Sequence, residues 1–144
     1  MKIVKDIDKL SKVCKPVPKD KFGYVRGILL REMLIRKNKA VGLAANQIGL
    51  NYRAFAMKLN NKIAIFINPE ITDKWGDDLF LPERCLSLKK GYTVKRCMYI
   101  RVKDDFYTNG QTMALDNYAA QVFQHEIDHI NGITIQTRSK DVKD

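Results

Sequence analysis

The segment QHEIDH, residues 124–129, contains residue types that can bind a metal ion and activate water. His125 and His129 are the two histidines of the chain, and Glu126 lies between them. Residues four apart on an α-helix share one face, so both imidazoles can bind the same ion. Glu126 follows the first histidine directly and can act as a general base, as in the His-Glu-x-x-His pattern of metallopeptidases. The segment therefore predicts a metal site with hydrolytic chemistry.

The third metal ligand is harder to choose, because a catalytic site needs three protein ligands and one open position. Downstream of the segment, only Asp141 and Asp144 carry carboxylates. Upstream, Cys85 lies in PERCLSL beside Arg84, whose positive charge favours the thiolate that binds metals. The residues alone leave two other roles open for Cys85, a buried apolar side chain or a nucleophile with a histidine base.

A second informative segment is AVGLAANQIGL, residues 40–50. Gly42, Ala44 and Ala45 leave room for a ligand or another backbone to come close, and Gln47 offers a side-chain hydrogen-bond donor. The alternative is that the small residues are only a packing surface and that Gln47 is a solvated loop residue. Taken alone, the composition of the segment favours this alternative, since clusters of Gly and Ala are weakly specific.

The elements that must position these segments follow from the spacing of apolar residues. A first helix is predicted from a cap at Asp20 to a stop near Asn38, and a last helix from a cap at Asp116 to a stop at Gly132. The last helix would carry both histidines. Its apolar positions recur at helical spacing, which predicts that this face packs against a sheet.

Strands are predicted where apolar residues alternate or form short runs. These are residues 53–59, with Phe55, Met57 and Leu59 on one side, and residues 63–67. Asn109-Gly110 predicts a tight hairpin turn between residues 98–102 and the segment after Gln111. Helices and strands in this order indicate an α+β fold.

Length and composition limit the class of protein. A chain of 144 residues can bury one good core, which predicts a single domain over residues 1–144. Hydrophobic residues make up 45% and charged residues 29%, as in ordinary soluble globular proteins. No stretch resembles a signal peptide or a membrane span. The three cysteines show no paired spacing, which predicts free or metal-bound thiols in a reducing, cytoplasmic compartment.

The formal net charge of +10 favours approach to anionic partners such as nucleic acid, the ribosome or a membrane surface. The lysines are scattered along the chain and are not interleaved with aromatic residues. We therefore predict a solvated basic surface and no specific nucleic-acid site.

Three segments in this order resemble the signature motifs of the peptide deformylase family: VGLAANQ at 41–47, ERCLS at 83–87 and QHEIDH at 124–129. The opening IVKDIDKLSKVCKPV and INPEI at 67–71 are also similar to that family, so the resemblance covers nearly the whole chain. It implies antiparallel or mixed sheets packed around a central helix that binds the metal. It also implies removal of the N-formyl group from the N-terminal formylmethionine of nascent polypeptides, with release of formate.

Carried over to matching positions, the resemblance implies Cys85, His125 and His129 as metal ligands and Glu126 as general base and acid. Gln47 and the backbone N–H of Leu86 are implied as donors to the oxyanion. One divalent ion per chain is implied, with iron(II) as the native metal and zinc, nickel or cobalt as other occupants. The substrate would be bound by residues at five positions: Val41, Gly42, Arg84, Phe123 and Ile127. The helical pattern makes Phe123 and Ile127 equally suited to ordinary core positions.

The sequence departs from the family pattern at three places. Ala40 replaces the first glycine of the first motif, a change that ordinary backbone angles tolerate. Arg84 replaces the glycine before the cysteine, and we expect its cation at the mouth of the cleft to favour an acidic residue after methionine. The chain ends soon after Gly132, so the C-terminal helix of many bacterial members, and any ribosome docking that uses it, is expected to be absent.

Two other functions compete with this interpretation. One is a small His-Glu-x-x-His metallopeptidase, which the missing downstream ligand disfavours. The other is a non-catalytic basic metal-binding protein associated with the ribosome, although a structural zinc site normally has four protein ligands. For the deformylase, the expected partners are formylmethionyl peptides and the ribosome near its exit tunnel. No membrane association is expected, and the enzyme is expected to be a monomer. The expected location is the cytoplasm, an organelle stroma, or the host cytoplasm for a viral protein.

Overall fold

A computed structural model describes residues 1–142, which form an α+β arrangement of helices around two antiparallel sheets. The helices are α1 (Ile7–Leu10), α2 (Phe22–Ile35), α3 (Asn117–Ile130) and α4 (Ile135–Arg138). The strands are β1 (Gly42–Ala44), β2 (Ala54–Leu59), β3 (Lys62–Ile67), β4 (Glu70–Glu83), β5 (Tyr92–Lys103) and β6 (Met113–Asp116). Within residues 1–142, no helix is both long and apolar enough to cross a membrane.

The first sheet has the order β1-β2-β3 and is buried on both faces. Phe55 and Met57 of β2 pack with Phe123 of α3 in one hydrophobic cluster. Ala54 and Ala56 point the other way and pack in a second cluster with residues of α2. The two predicted strands are confirmed, and the small alanines allow helix α2 to cover the second face.

The second sheet has the order β4-β5-β6 and contains a strand that the sequence pattern did not predict. Strand β4 was missed because most of its side chains are exposed and it contains Gly76 and several aspartates in place of an apolar alternation. It pairs along its length with β5, with two register irregularities, between Ile71 and Asp73 and between Trp75 and Asp78. It ends at Glu83, next to the predicted third ligand Cys85.

The predicted pairing of residues 98–102 with the segment after Gln111 is confirmed, because β5 pairs with β6. The predicted tight turn at Asn109-Gly110 is wrong, since the ladder stops at Val102 and Met113 and a longer loop connects the strands. Both turn residues do have positive φ. The carboxylate of Asp104 accepts backbone N–H groups of the following residues and thereby organises this longer loop.

The two predicted helices form, with a correction at the start of the first. Helix α2 begins at Phe22 because Asp20 lies in a preceding 3-10 turn, Lys19–Lys21, and is not the cap. Helix α3 begins after Asp116, as predicted, although the Asp116 side chain makes no capping hydrogen bond. It packs against both sheets, as its apolar pattern predicted. The chain then turns at Gly132, whose φ is 77°.

The segment after α3 is short and folds back onto the second sheet. Helix α4 has one turn, and its Ile135 packs against Val94 and Cys85. Arg138 pairs with Asp128 of α3 at 2.7 Å. Asp144, considered above as a downstream ligand, lies outside the described residues.

A substitution at Gly132 tests how tightly the turn after α3 packs against the N-terminal segment. A Cβ atom at this position would lie 2.4 Å from the carbonyl oxygen of Ser11, and the positive φ adds strain to any side chain. We expect Gly132→Ala to lower the free energy of unfolding by about 2–4 kcal/mol, measured by urea denaturation.

Gly27→Ala is the matched control for that substitution. Gly27 lies in α2, and an added Cβ would meet nothing within 4 Å. This variant should be as stable as the wild type or more stable by up to about 1 kcal/mol. Equal effects of the two substitutions would contradict the packing assigned to Gly132.

Candidate metal centre

The structure brings Cys85, His125 and His129 together, although the cysteine is far from the histidines in sequence. One ligand atom of each residue lies within 4.8 Å of those of the other two. The Sγ atom of Cys85 is 3.2 Å from Nε2 of His129. One thiol and two imidazoles at this separation suit a divalent transition metal such as zinc or iron(II).

The surroundings of the two histidines favour metal binding in different ways. Nδ1 of His125 lies 2.8 Å from Oε1 of Glu83, which leaves Nε2 of that ring as the nitrogen for a ligand bond. His129 is 1% exposed, and burial lowers its pKa well below the ordinary value. Its imidazole therefore stays neutral, which is the form that binds metals.

Glu83 is fixed by Arg96, which reaches it from strand β5. Nε and Nη2 of Arg96 donate to the two carboxylate oxygens at 2.9 and 2.8 Å. Burial would raise the pKa of Glu83, but the hydrogen bonds from Arg96 and His125 outweigh burial and lower it to about 2. The carboxylate thus stays ionised and holds the His125 ring in one orientation.

Arg96 also joins this carboxylate to the far side of α3. Its Nη1 donates to Oδ2 of Asp128 at 2.6 Å, and Asp128 accepts from Arg138 of α4 as well. Arg96 is 3% exposed, so the ion pairs that it forms are shielded from solvent. Two carboxylates and two guanidinium groups therefore connect β4, β5, α3 and α4 around the histidines.

Gln47 points its amide nitrogen at the thiol. Its Oε1 accepts the backbone N–H of Ala44 at 3.0 Å, which fixes the orientation of the carboxamide. Nε2 then lies 3.3 Å from Cys85 Sγ and 3.2 Å from Ser87 Oγ. Gln47 is 2% exposed, so the solvated loop position considered above is wrong. The adjacent Asn46 donates to the carbonyl of His129 at 2.7 Å and ties this segment to α3.

Glu126 is a buried acid beside the ligand atoms. It is 2% exposed, and its Oε1 meets no hydrogen-bond donor within residues 1–142. Burial raises the pKa of Glu126 to about 7, although the nearby His125 opposes this shift. A carboxyl group with a pKa near neutrality can both accept and release a proton.

Gly42 makes room for this acid. A Cβ atom on Gly42 would lie 2.4 Å from Oε2 of Glu126, so a larger residue would displace the carboxylate. This contact explains the small residue in the first motif better than the packing surface considered above. The backbone of Gly42 therefore lies directly against the side chain of Glu126, the predicted general base.

A cavity of about 450 Å³ opens beside these residues. Eight of the eleven predicted site residues line it: Val41, Gly42, Gln47, Arg84, Cys85, Leu86, His125 and Glu126. His129, Phe123 and Ile127 do not. Phe123 is fully buried among Phe55 and Phe66, and Ile127 packs against the core and lines a separate, smaller cavity. The substrate-binding role predicted for these two is therefore corrected to a core position.

Sequence reasoning missed several residues that line the cavity. Tyr118, Gln121 and Val122 lie on α3 one or two turns before His125. Their spacing of three, four and seven residues places them on the face of His125, and this periodicity could have identified them. Lys39 also lines the cavity and gave no signal, because it is one of many scattered lysines.

Two antiparallel sheets surround a helix with a His-Glu-x-x-His pattern. A cysteine and a buried glutamate lie beside the two histidines. This combination is typical of a metal-dependent hydrolase. The family model for polypeptide deformylases matches residues 1–144, and the chain belongs to that family. It is thus a hydrolase that removes the N-formyl group from the N-terminal formylmethionine of nascent polypeptides and releases formate. The metallopeptidase and non-catalytic interpretations are not supported.

Similar proteins come from bacteria and a bacteriophage. A peptide deformylase of Thermotoga maritima is 36% identical over 137 residues, which cover 93% of this chain and 83% of the relative. A crystal structure of peptide deformylase from that organism has a TM-score of 0.84 at 35% identity and covers 95% of both chains. The enzyme of Vibrio parahaemolyticus bacteriophage VP16T, solved with actinonin, has a TM-score of 0.80 at 33% identity and covers 94% and 100%.

The contact between Gly42 and Glu126 predicts that a single methyl group disturbs the site. Gly42→Ala should lower kcat/KM for a formylated peptide by about 100-fold, because the carboxylate must move by about 1 Å. The variant should keep the far-ultraviolet circular dichroism of the wild type. Activity equal to that of Gly27→Ala, which introduces the same group in open space, would contradict the assigned contact.

The position of Arg96 predicts a large loss of stability when its charge is removed. Arg96→Met leaves Glu83 and Asp128 buried without this cation, which should cost about 3–5 kcal/mol of unfolding free energy in urea. Arg101→Met is the control, since Arg101 is exposed and its guanidinium group lies over the ring of Trp75. Its cost should be about 1 kcal/mol or less. Similar costs for both would mean that the Arg96 ion pairs do not hold the site together.

Proposed function

We propose that residues 1–144 act as one catalytic domain in which Cys85, His125 and His129 bind a single divalent metal ion. Glu126 transfers the protons of the deformylation. The observation that supports this proposal most directly is the set of three ligand atoms within 4.8 Å of one another, beside a buried carboxyl group. Family membership supports metal dependence.

We propose iron(II) as the native metal, with zinc, nickel or cobalt as alternatives in the purified protein. A thiolate with two imidazoles suits all four ions, so the ligand types support the site without choosing among them. When bound, the metal acts as a Lewis acid that makes water nucleophilic near neutral pH and polarises the formyl oxygen.

Glu126 is suited to move the proton in both halves of the reaction. Its pKa of about 7 lets the carboxylate take a proton from the attacking water as the oxygen adds to the formyl carbon. The same group can then give that proton to the leaving amine when the C–N bond breaks. Its unpaired Oε1 has no competing donor among the described residues and is free for this exchange.

Gln47 and Leu86 are suited to stabilise the negative charge that develops on the formyl oxygen. The Ala44 N–H holds the Gln47 carboxamide so that its Nε2 faces the thiol of Cys85. Leu86 lines the same cavity, and its backbone N–H donates to no other group in the part of the chain that the structure describes. Two donors fixed before the reaction can lower the barrier by several kcal/mol.

The peptide is proposed to bind along β1 and into the cavity. Strand β1 is an edge strand of the first sheet, so the residues around Val41 and Gly42 can pair with an extended peptide by strand addition. Val41, Leu88 and Val122 give the cavity apolar walls for the methionine side chain. Arg84 lines the same cavity, and we propose that the peptide continues past it after methionine.

We also propose where in the cell the enzyme acts. The substrate is a nascent chain, so the enzyme would act near the ribosome exit tunnel, and the net charge of +10 supports approach to that anionic surface. We propose a monomer in the cytoplasm, in an organelle stroma, or in the host cytoplasm if the source is viral. No nucleic-acid sequence preference is proposed.

Release of formate from formyl-Met-Ala-Ser tests the proposed roles. Protein prepared anaerobically with iron(II) should release formate, and Glu126→Gln should lower kcat by at least about 100-fold because no group remains to transfer protons. Glu126→Gln should still bind one metal ion per chain by elemental analysis. Cys85→Ser should lose both metal and activity.

Cys97→Ser and Glu70→Gln are the matched controls, because both positions lie away from the metal centre and the cavity. Both controls should keep wild-type activity and metal content. Full activity in Glu126→Gln, or unchanged metal content in Cys85→Ser, would refute the corresponding role.

A further inference from the structure

We propose that Arg84 and Lys39 form a cationic rim that selects formylmethionyl peptides with an acidic residue directly after methionine. The cationic rim is defined by these two residues alone. The proposal rests on the proposed function, because it requires that the peptide lie in the cavity beside the metal centre. It deepens that function by naming a class of preferred substrate.

Both members of the cationic rim line the substrate cavity and are exposed. Neither side chain forms an ion pair or a hydrogen bond with any other residue in the range 1–142. Some other cations of the described residues are paired with acids, as Arg36 is with Glu32 and Lys103 with Glu70. The two charges are therefore available to an anionic group that enters the cavity.

The acids that line the same cavity do not neutralise the cationic rim. Glu83 is engaged by Arg96 and His125, and Glu126 is buried at the metal centre. The wall formed by α3 contributes the uncharged Tyr118, Gln121 and Val122. An acidic side chain that enters the cavity would thus find two exposed cations and no exposed carboxylate along its lining.

The fold provides a defined place for the Arg84 side chain. A Cβ atom on Gly91 would lie 3.3 Å from Cγ of Arg84 and 2.9 Å from the carbonyl oxygen of Glu83. The absence of a side chain at Gly91 therefore lets the aliphatic part of Arg84 pack against the backbone there. Packing of this part reduces the entropy that the guanidinium group loses when it binds a carboxylate.

The size of the effect follows from the exposure of the two cations. Ion pairs at a protein surface are screened by water and salt, and one such pair changes binding by up to about fivefold. Two cations around one carboxylate predict a preference of about fivefold to tenfold at low salt. The preference should fall below about twofold in 1 M salt, where charges more than about 3 Å apart are screened.

The test compares formyl-Met-Asp-Ser amide with formyl-Met-Asn-Ser amide, which differ in one charge and have no terminal carboxylate. Wild-type enzyme should show a kcat/KM for the Asp peptide about fivefold to tenfold higher, and most of this difference should lie in KM. Arg84→Gln should reduce the ratio to about twofold or less, whereas Arg84→Lys should retain most of it.

Arg26→Gln is the control for charge, since Arg26 is an exposed arginine of α2 that does not line the cavity. It should keep the wild-type ratio. Lys39→Gln should also reduce the ratio of kcat/KM between the Asp and Asn peptides. This variant provides an independent test if Arg84→Gln folds poorly. Hydrolysis of both peptides at equal rates, or a ratio unchanged in Arg84→Gln and Lys39→Gln, overturns the cationic rim alone. Hydrolysis of neither peptide overturns the proposed function and the cationic rim with it.

Discussion

The hydrogen bond between Glu83 and His125 is the contact on which the arrangement of the site depends. Glu83 ends strand β4 two residues before Cys85, so a bond from it to His125 sets the position of the thiol and of the imidazole together. Arg96 holds Glu83 from the neighbouring strand and reaches Asp128 across α3. These contacts fix the second sheet relative to α3, so that one ligand atom of each of Cys85, His125 and His129 lies within 4.8 Å of the other two.

The buried carboxyl groups near that contact fall into two kinds, those that are paired with arginines and one that is not. Glu83 and Asp128 are paired with arginines, and the hydrogen bonds from Arg96 and His125 lower the pKa of Glu83 to about 2 against the effect of burial. Glu126 lies beside them and forms no ion pair within residues 1–142, and burial raises its pKa to about 7 although the charges of His125 and Arg96 oppose this shift. We therefore propose that Glu83 serves as a fixed support for His125 and that Glu126 serves as the proton carrier.

Sequence reasoning reached the parts of the site that depend on local spacing. The histidine pair and Glu126 follow from one turn of helix, and the helix boundaries near Asp116 and Gly132 follow from turn chemistry. Cys85 could be named as a candidate from its neighbour Arg84, but spacing left other roles open, and the family resemblance was needed to choose it as the third ligand. The role of Arg96 was not predicted, because its partners are 13 and 32 residues away and no local pattern records such pairs. Strand β4 was missed because its edge position leaves it polar.

X-ray absorption at the zinc edge of zinc-loaded protein tests whether Cys85, His125 and His129 bind the metal. The predicted spectrum shows one sulfur at about 2.3 Å and two imidazole nitrogens at about 2.0–2.1 Å. The sulfur contribution should disappear in Cys85→Ser and persist in Cys97→Ser. A coordination shell of nitrogen and oxygen alone in the wild type, or sulfur that persists in Cys85→Ser, would rule out Cys85 as a metal ligand.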